Sequence, residues 1–592
     1  IQSARTSDEN FVYEGSFEPI EGDPFWKGHL KKYQINSNGT VGSLLADAGT
    51  ILQGTAASSR TIKTYKGGTL TDFSTGSITA ADLGVTTNAE RDAIVGYFRG
   101  ETTYNPDDWK LGDVFRSTPI TVGTPSVFFD DGRDANNQFA AHRSSHVRTS
   151  ANAYRLIVAG ANDGQFHAFK TSNLTEAWSF VPPNLLTKLK NISHATHNTT
   201  DPVTSLTHQF FVDGPVTVAD AWVGDSDGTS KTADWKTILV FAEGRGAVSY
   251  SWSSSPYCDS GISSIYSTTY NYYCGYHALN LNNSLSPTYM WHINFANATA
   301  EAAQAPYLGD PWSKMMIGRV KVKVSGVDKE KWVGFIGAGY NAADCSGGGG
   351  CDTRGKGFFV IDLSNGQVLW SYTLADNSDM DYSLASAPSI VDRDNDGFID
   401  TAYVGDLGGN MWRFKFCLAN DTNCGVSGAT TNWSGGLFYA SSSGNIRPIY
   451  TSAAVAKDSI GNFWIFWGTG DKVDPTASNA QERFFAVKDN RTSTYQFNDL
   501  DNITSTSQVF DPSSTNSVGY ALNLAGGGEK ILADPTVFGG VVYFTSYTPP
   551  SGSNPCAQGG TAALNALFFT TGAGALPNGD RSMTIGTGIP TS

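Results

Sequence analysis

Four aspartates alternate through one short stretch, Asp392-Arg-Asp394-Asn-Asp396-Gly397-Phe398-Ile399-Asp400, at positions 1, 3, 5 and 9, with glycine at position 6. Alternating carboxylates, a glycine for the sharp turn and a backbone carbonyl at position 7 are the grammar of a calcium loop. The expected ligands of a Ca2+ ion are Asp392, Asp394, Asp396 and Asp400, with Phe398 offering only its carbonyl. The bland reading is a solvated acidic turn, because Asp, Asn and Gly are ordinary turn residues. Four like charges this close repel unless a cation neutralises them, which favours the metal. An EF-hand is excluded. Its position 12 wants glutamate where Tyr403 stands, and Ser389-Ile-Val391 and Thr401-Ala-Tyr-Val404 read as strands and not as helices.

Other candidate chemistry is sparser. His167 and His277 occupy equivalent places in a repeating pattern and read as packing or surface residues, not ligands. His142 and His146 stand four apart in a stretch, 136–151, that reads as polar loop with no carboxylate motif beside it. A second acidic turn, Asp225-Ser-Asp227-Gly228, is too short for a metal site, and Asp163-Gly164 reads as a hairpin turn. No nucleophile elbow, phosphate-binding loop or zincin helix motif occurs. Seven cysteines fall into three close pairs, Cys258 with Cys274, Cys345 with Cys351 and Cys417 with Cys424, leaving Cys556 over. Without paired C-x-x-C spacing, local disulfides formed in an oxidising compartment fit better than zinc.

Holding such a loop requires strands on both sides, and strands recur along the chain. A small-residue and proline signal opens each unit, as at Ser117-Thr-Pro-Ile120, Asp213-Gly-Pro-Val216, Ser386-Ala-Pro-Ser-Ile390 and Ala533-Asp-Pro-Thr-Val537. A very apolar strand follows, as at Leu156–Gly160, Ile238–Ala242 and Phe463–Trp467, and then a glycine-led strand, as at Gly164–Phe169, Gly357–Ile361 and Gly409–Phe414. Trp178, Trp291 and Trp370 close three of these units. Repeated sets of four short antiparallel strands describe the blades of a β-propeller, with each closing tryptophan docked against the next blade. The fold class is therefore all-β, a propeller of six to seven blades with seven favoured, carrying loop and short helical insertions. Six units fall at 113–180, 212–293, 309–372, 385–440, 446–490 and 531–572, and Lys27–Val41 supplies the seventh. The chain, 1–592, reads as a single propeller domain in which residues 1–112 close the ring and 113–592 provide the remaining blades. A helix is expected at Asn88–Phe98, and the segments Asn184–Thr207 and Asn498–Val518 read as polar loops.

Composition narrows the classes. Gly 64, 12% aromatic and only 16% charged residues suit short strands and tight turns. A net charge of -15 argues against nucleic acid and anionic membranes as main partners. No apolar run approaches the roughly 18 residues of a membrane span. The chain begins at Ile1 without an initiator methionine or signal sequence, so it reads as a mature product or a fragment.

Two families share tryptophan-closed blades of this kind. Quinoprotein dehydrogenases are one, and the alternative they imply is a calcium-dependent enzyme holding pyrroloquinoline quinone (PQQ). The adjacent cysteine pair of that family is missing here, and the acidic loop joins strands within a blade. The closer resemblance rests on Trp109–Pro119, Gly160–Phe169, Ala177–Pro182, the Asp392–Asp400 loop and Phe11–Pro19 leading into Trp26–Tyr33. Together these resemble the C-terminal propeller of the type IV pilus tip-associated PilC/PilY adhesins, collinearly from about Phe11 to Thr571. The resemblance implies a non-enzymatic, secreted protein at the pilus tip or cell surface, exported through periplasm and outer membrane. It further implies minor pilins and a host or abiotic surface as partners, and roles in pilus assembly, adhesion and twitching. Its calcium loop would set the balance between pilus extension and retraction. Members often carry an N-terminal von Willebrand A-type domain, which this chain lacks, and no Arg-Gly-Asp triplet supports integrin binding.

Overall fold

A computed structural model describes residues 2–126, 134, 137–193, 207–223, 234–247, 275–293, 307–324, 327–342, 344, 353–418, 421, 426–427, 429–430, 433–441, 446–477, 481–490, 493–505, 508–513, 518–525, 527–550 and 559–590. The strands form seven blades, each built on four antiparallel strands in chain order from the inside outwards. Blade one is Gln2–Asp8, Phe11–Glu18, Lys27–Ile35 and Val41–Asp47. Blade two is Ile120–Val122, Leu156–Gly160, Phe166–Lys170 and Glu176–Val181. Blade three is Val216–Trp222, Trp235–Ala242, Tyr276–Asn280 and Thr288–His292. Blade four is Met316–Val324, Val327–Gly337, Gly357–Asp362 and Val368–Thr373. Blade five is Ser389–Val391, Thr401–Gly405, Met411–Lys415 and Ser434–Tyr439. Blade six is Ala454–Lys457, Phe463–Gly468, Arg483–Lys488 and Gly519–Asn523. Blade seven is Thr536–Phe538, Val541–Thr548, Thr561–Phe568 and Ser582–Thr587.

The core lies between blades, because each short sheet has two faces and must bury both. Tyr13 and Leu30 of blade one meet Ile157 and Ala159 of blade two, and Phe166 and Trp178 of blade two meet Phe241 and Leu279 of blade three. The pattern continues through Phe359 against Trp291, Phe358 against Phe414, Phe438 against Trp467, and Phe484 against Phe544. The closing tryptophans dock as their apolar bulk and single N–H donor require. Trp178 Nε1 donates to the Ser284 carbonyl of blade three at 2.8 Å, and Trp291 Nε1 to the Leu363 carbonyl of blade four at 2.7 Å. On the terminal blades large apolar side chains stay exposed, among them Phe538 and Phe568 on blade seven and Val41 and Leu44 on blade one.

Several boundaries differ from the sequence reading. Blade one takes four N-terminal strands over 2–47, not Lys27–Val41 alone, so the ring's two ends are separate sheets. The hairpin Ile62–Lys66 and Thr69–Asp72 does not close the ring; it extends blade two outwards, pairing in parallel with Glu176–Val181. The fourth strand of blade six is Gly519–Asn523, beyond the expected end at residue 490. Part of the intervening segment is core, with Ile503 and Phe510 buried, because the excursion folds back over the outer strand. Pro183–Asn191 likewise forms a 3-10 helix that buries Leu185, Leu186 and Leu189. The expected helix is present as Asn88–Arg99, capped by a reciprocal Thr87–Glu90 box and ended by Gly100 at φ 86. Residues 138–145 are helical and not loop.

Candidate metal centre

The acidic loop joins the first two strands of blade five, Ser389–Val391 and Thr401–Gly405. Asn395 and Gly397 take left-handed backbone angles, φ 60 and 87, which curl the chain tightly enough to face alternate side chains inward. Asp392 closes the turn by accepting from the Asp396 N–H at 3.2 Å and the Gly397 N–H at 2.8 Å. The Arg393 N–H donates to Asp400 Oδ2 at 2.6 Å, and the Thr401 hydroxyl donates to Oδ1 at 2.7 Å. Oxygens of Asp392, Asp394 and Asp400 then lie within 4.8 Å of one another. Burial pushes the Asp400 carboxyl up, and the Asp394 charge beside it adds to the rise. An all-oxygen donor set with one carboxylate withdrawn from water fits a hard divalent cation such as Ca2+.

One expected ligand stands apart from the cluster. Asp396 is turned out of the cluster: its Oδ2 pairs with Lys321 Nζ of blade four at 2.5 Å and its Oδ1 accepts from the Phe398 N–H at 2.9 Å. The Phe398 ring is buried, flanked by Arg319 at 5.1 Å and Lys321 at 5.0 Å. Sequence reasoning missed these cations, since they reach the loop from another blade. The loop is also clamped to that blade by main chain, with the Ile399 N–H donating to the Arg319 carbonyl at 2.7 Å and Arg319 Nη2 to the Gly397 carbonyl at 3.1 Å. The approach is close: a Cβ on Gly318 would meet Ile399 at 2.6 Å. On the opposite side Arg393 reaches blade six, pairing with Asp489 at 2.5 Å and lying 4.6 Å over the Phe463 ring. Asp489 also takes Arg413 and the Tyr403 hydroxyl.

The remaining candidates resolve into structural roles. His167 is buried between Asp163 and Glu176, both at 2.9 Å, and these carboxylates raise its pKa to about 9. His277 is buried against Glu243 at 2.9 Å. Both are internal ion-pair or hydrogen-bond partners and not surface residues. His142 packs on Phe139 and Trp235 with Asp220 at 3.4 Å, a carboxylate contact the sequence had not shown. Asp163 accepts from the Gln165 N–H at 2.8 Å within the Gly160–Phe166 connection. The turn at 225–228 lies outside the described residues, as do Cys258, Cys274, Cys345, Cys351, Cys424 and Cys556. Cys417 is described and is disulfide-bonded.

Fold and site together define a seven-bladed propeller with an acidic strand-connecting loop on one blade. Residues 309–497 match the PilY1 β-propeller domain, a span holding that loop. The chain is 23% identical to the type IV pilus biogenesis factor PilY1 of Pseudomonas aeruginosa strain PAK, over 97% of this chain and 49% of that protein. It is also 23% identical to a PilY1 homolog of Xylella fastidiosa, over 97% of this chain and 40% of that one. It thus spans less than half the length of either relative. The solved P. aeruginosa PilY1 C-terminal domain superposes with a TM-score of 0.51 at 20% identity, covering 77% of this chain and 87% of that one. The chain is thus similar in sequence and fold to the propellers of the PilC/PilY family.

Proposed function

We propose that this propeller is the pilus-tip portion of a type IV pilus adhesin and assembly factor, and that its acidic loop binds one calcium ion as a switch. The relatives named as pilus biogenesis factors support a pilus-associated, non-enzymatic role at the cell surface. The observation carrying the metal reading is the meeting of the Asp392, Asp394 and Asp400 carboxylates on one loop. In the bound state these three hold the ion, Asp396 turns inward, and the Phe398 carbonyl completes the oxygen set. Minor pilins at the tip and a host or abiotic surface are the partners of this reading. A switch is favoured over a staple because the loop touches blades four and six, so a change in it reaches two neighbours. An ion bound only to the folded form at a hundredfold excess over Kd adds about 2.7 kcal/mol, enough to reorder a loop but small against seven packed blades.

The test is calorimetric and cellular together. Purified protein should take up one calcium ion, and an Asp394→Ala protein should fold yet lose that heat. Cells carrying the variant should show altered surface piliation or twitching. Normal piliation, twitching and adhesion in cells with a calcium-blind protein would leave the ion without a role in pilus dynamics.

A further inference from the structure

We infer that Lys321 of blade four is a tethered competitor for the loop, its ammonium holding the position-5 carboxylate of Asp396 and yielding it when calcium enters. This rests on the reading that the loop binds calcium, and adds how its affinity is set. Of the four loop aspartates, Asp396 stands apart from the carboxylate cluster, and its Oδ2 lies 2.5 Å from Lys321 Nζ. That pairing links residues 75 apart in the chain and crosses the seam between blades four and five. Both side chains are mostly withdrawn from water, at 24% and 19% exposure, so solvent screens the pair only partly. Lys321 is held in place independently of Asp396. Arg319, two residues back on the same strand face, is bonded to the loop through the Ile399 N–H and the Gly397 carbonyl.

A lysine here acts in two ways. It occupies an oxygen that a calcium ion needs, and its charge opposes the approach of a divalent cation. Both lower affinity, and both disappear with the charge. Calcium therefore has to displace an internal cation, and doing so frees blade four's Lys321 from the loop. The seam between the two blades is loosened at this point as the site fills.

Calcium titration of chelator-treated protein by calorimetry tests this, using the wild type, Lys321→Met, Lys321→Arg and Asp396→Asn with and without Lys321→Met. Lys321→Met should bind calcium on the order of tenfold tighter than wild type, as expected for removing one charge from beside the ion. Lys321→Arg should stay near wild type. The gain from Lys321→Met should shrink in the Asp396→Asn background, where no carboxylate remains to be released. Equal gains in both backgrounds would reduce Lys321 to a distant repelling charge and overturn the competition. Wild-type binding with unchanged or weaker binding in Lys321→Met would overturn the inference and leave the calcium reading standing, whereas no uptake by the wild type would sink that reading itself. Acetic anhydride footprinting of the unmutated protein decides the matter even if Lys321→Met fails to fold. Lys321 should become more reactive on adding calcium, and constant or lower reactivity would contradict its release.

Discussion

Asp400 is the most deeply buried of the three clustered carboxylates, and its pKa is raised first by burial and then by Asp394. Holding its charge there is thus costlier than in water. Asp400→Asn keeps most of the hydrogen-bonding shape while removing the charge. We expect it to lose calcium binding by at least about tenfold, as a lost charged ligand implies, and to melt at or above the wild-type temperature in chelator. Calcium titration and thermal melting of the same sample check both halves. His167 supplies the pH prediction. Its folded pKa is about 9 against 6.5 unfolded, so its stabilising contribution is complete below pH 6.5 and is lost as pH rises through 9. At about 1.4 kcal/mol per unit, the difference amounts to ~3 kcal/mol at most. Relative to a His167→Gln protein, the wild type should lose melting temperature between pH 6.5 and 9; parallel profiles would refute the charged pair. The same turn can carry opposite electrostatics. Asp406 and Asp458 each accept from the Asn four residues on and from a Trp Nε1 six residues on. Burial raises the Asp406 pKa to about 7, whereas the less buried Asp458 is held low by its hydrogen bonds.

Single contacts across the blade seams can be tested one at a time. The Trp178 and Trp291 indoles each bury a ring and donate one bond across a seam. Trp178→Phe should cost about 1–2 kcal/mol by leaving the Ser284 carbonyl without its donor, and Trp178→Ala about 3–5 kcal/mol by opening a cavity. Equilibrium unfolding monitored by circular dichroism measures both. Arg60 anchors the insertion to blade two through two bonds to Glu176, at 2.8 and 2.9 Å, and one to Gln165 at 3.2 Å, while its Nη1 donates to the Phe98 carbonyl of the insertion's own helix at 2.6 Å. The Glu176 side chain is buried, and Arg60 and His167 together hold its pKa near 2. Arg60→Met leaves this carboxylate short of its main partner and should cost roughly 3–5 kcal/mol. The matched Arg60→Met, Glu176→Gln double variant should recover part of that loss.

For the whole molecule, the loop's position matters more than its energy. It sits on blade five between cations from blade four and a carboxylate from blade six. Tyr403, buried and bonded to Asp489, belongs to this frame. Removing calcium should therefore leave the far-ultraviolet circular dichroism unchanged and lower the melting temperature by only a few degrees, in line with about 2.7 kcal/mol at hundredfold saturation. Proteolytic or hydrogen-exchange changes should concentrate at residues 392–400 and at the facing strand, Met316–Val324. Global unfolding on chelation would make the ion a staple.

The amino-acid sequence alone determined what is local. Alternate aspartates around Gly397 mark the loop because its clustered carboxylates lie within nine residues, and apolar strands between proline and glycine signals mark blades because hairpin pairing is short-range. The Asp406 and Asp458 turns share a D-x-x-G-N-x-W pattern, with glycine at the same place in both, which the sequence reading did not single out. Tertiary structure decided the rest. Whether Asp396 faces an ion or Lys321 depends on a strand 75 residues away, whose register is set by packing between blades. The outer strand of blade six and the hairpin added to blade two were hidden for the same reason. Their partners are chosen by which sheet edge the chain returns to, and no local pattern of residues encodes that return.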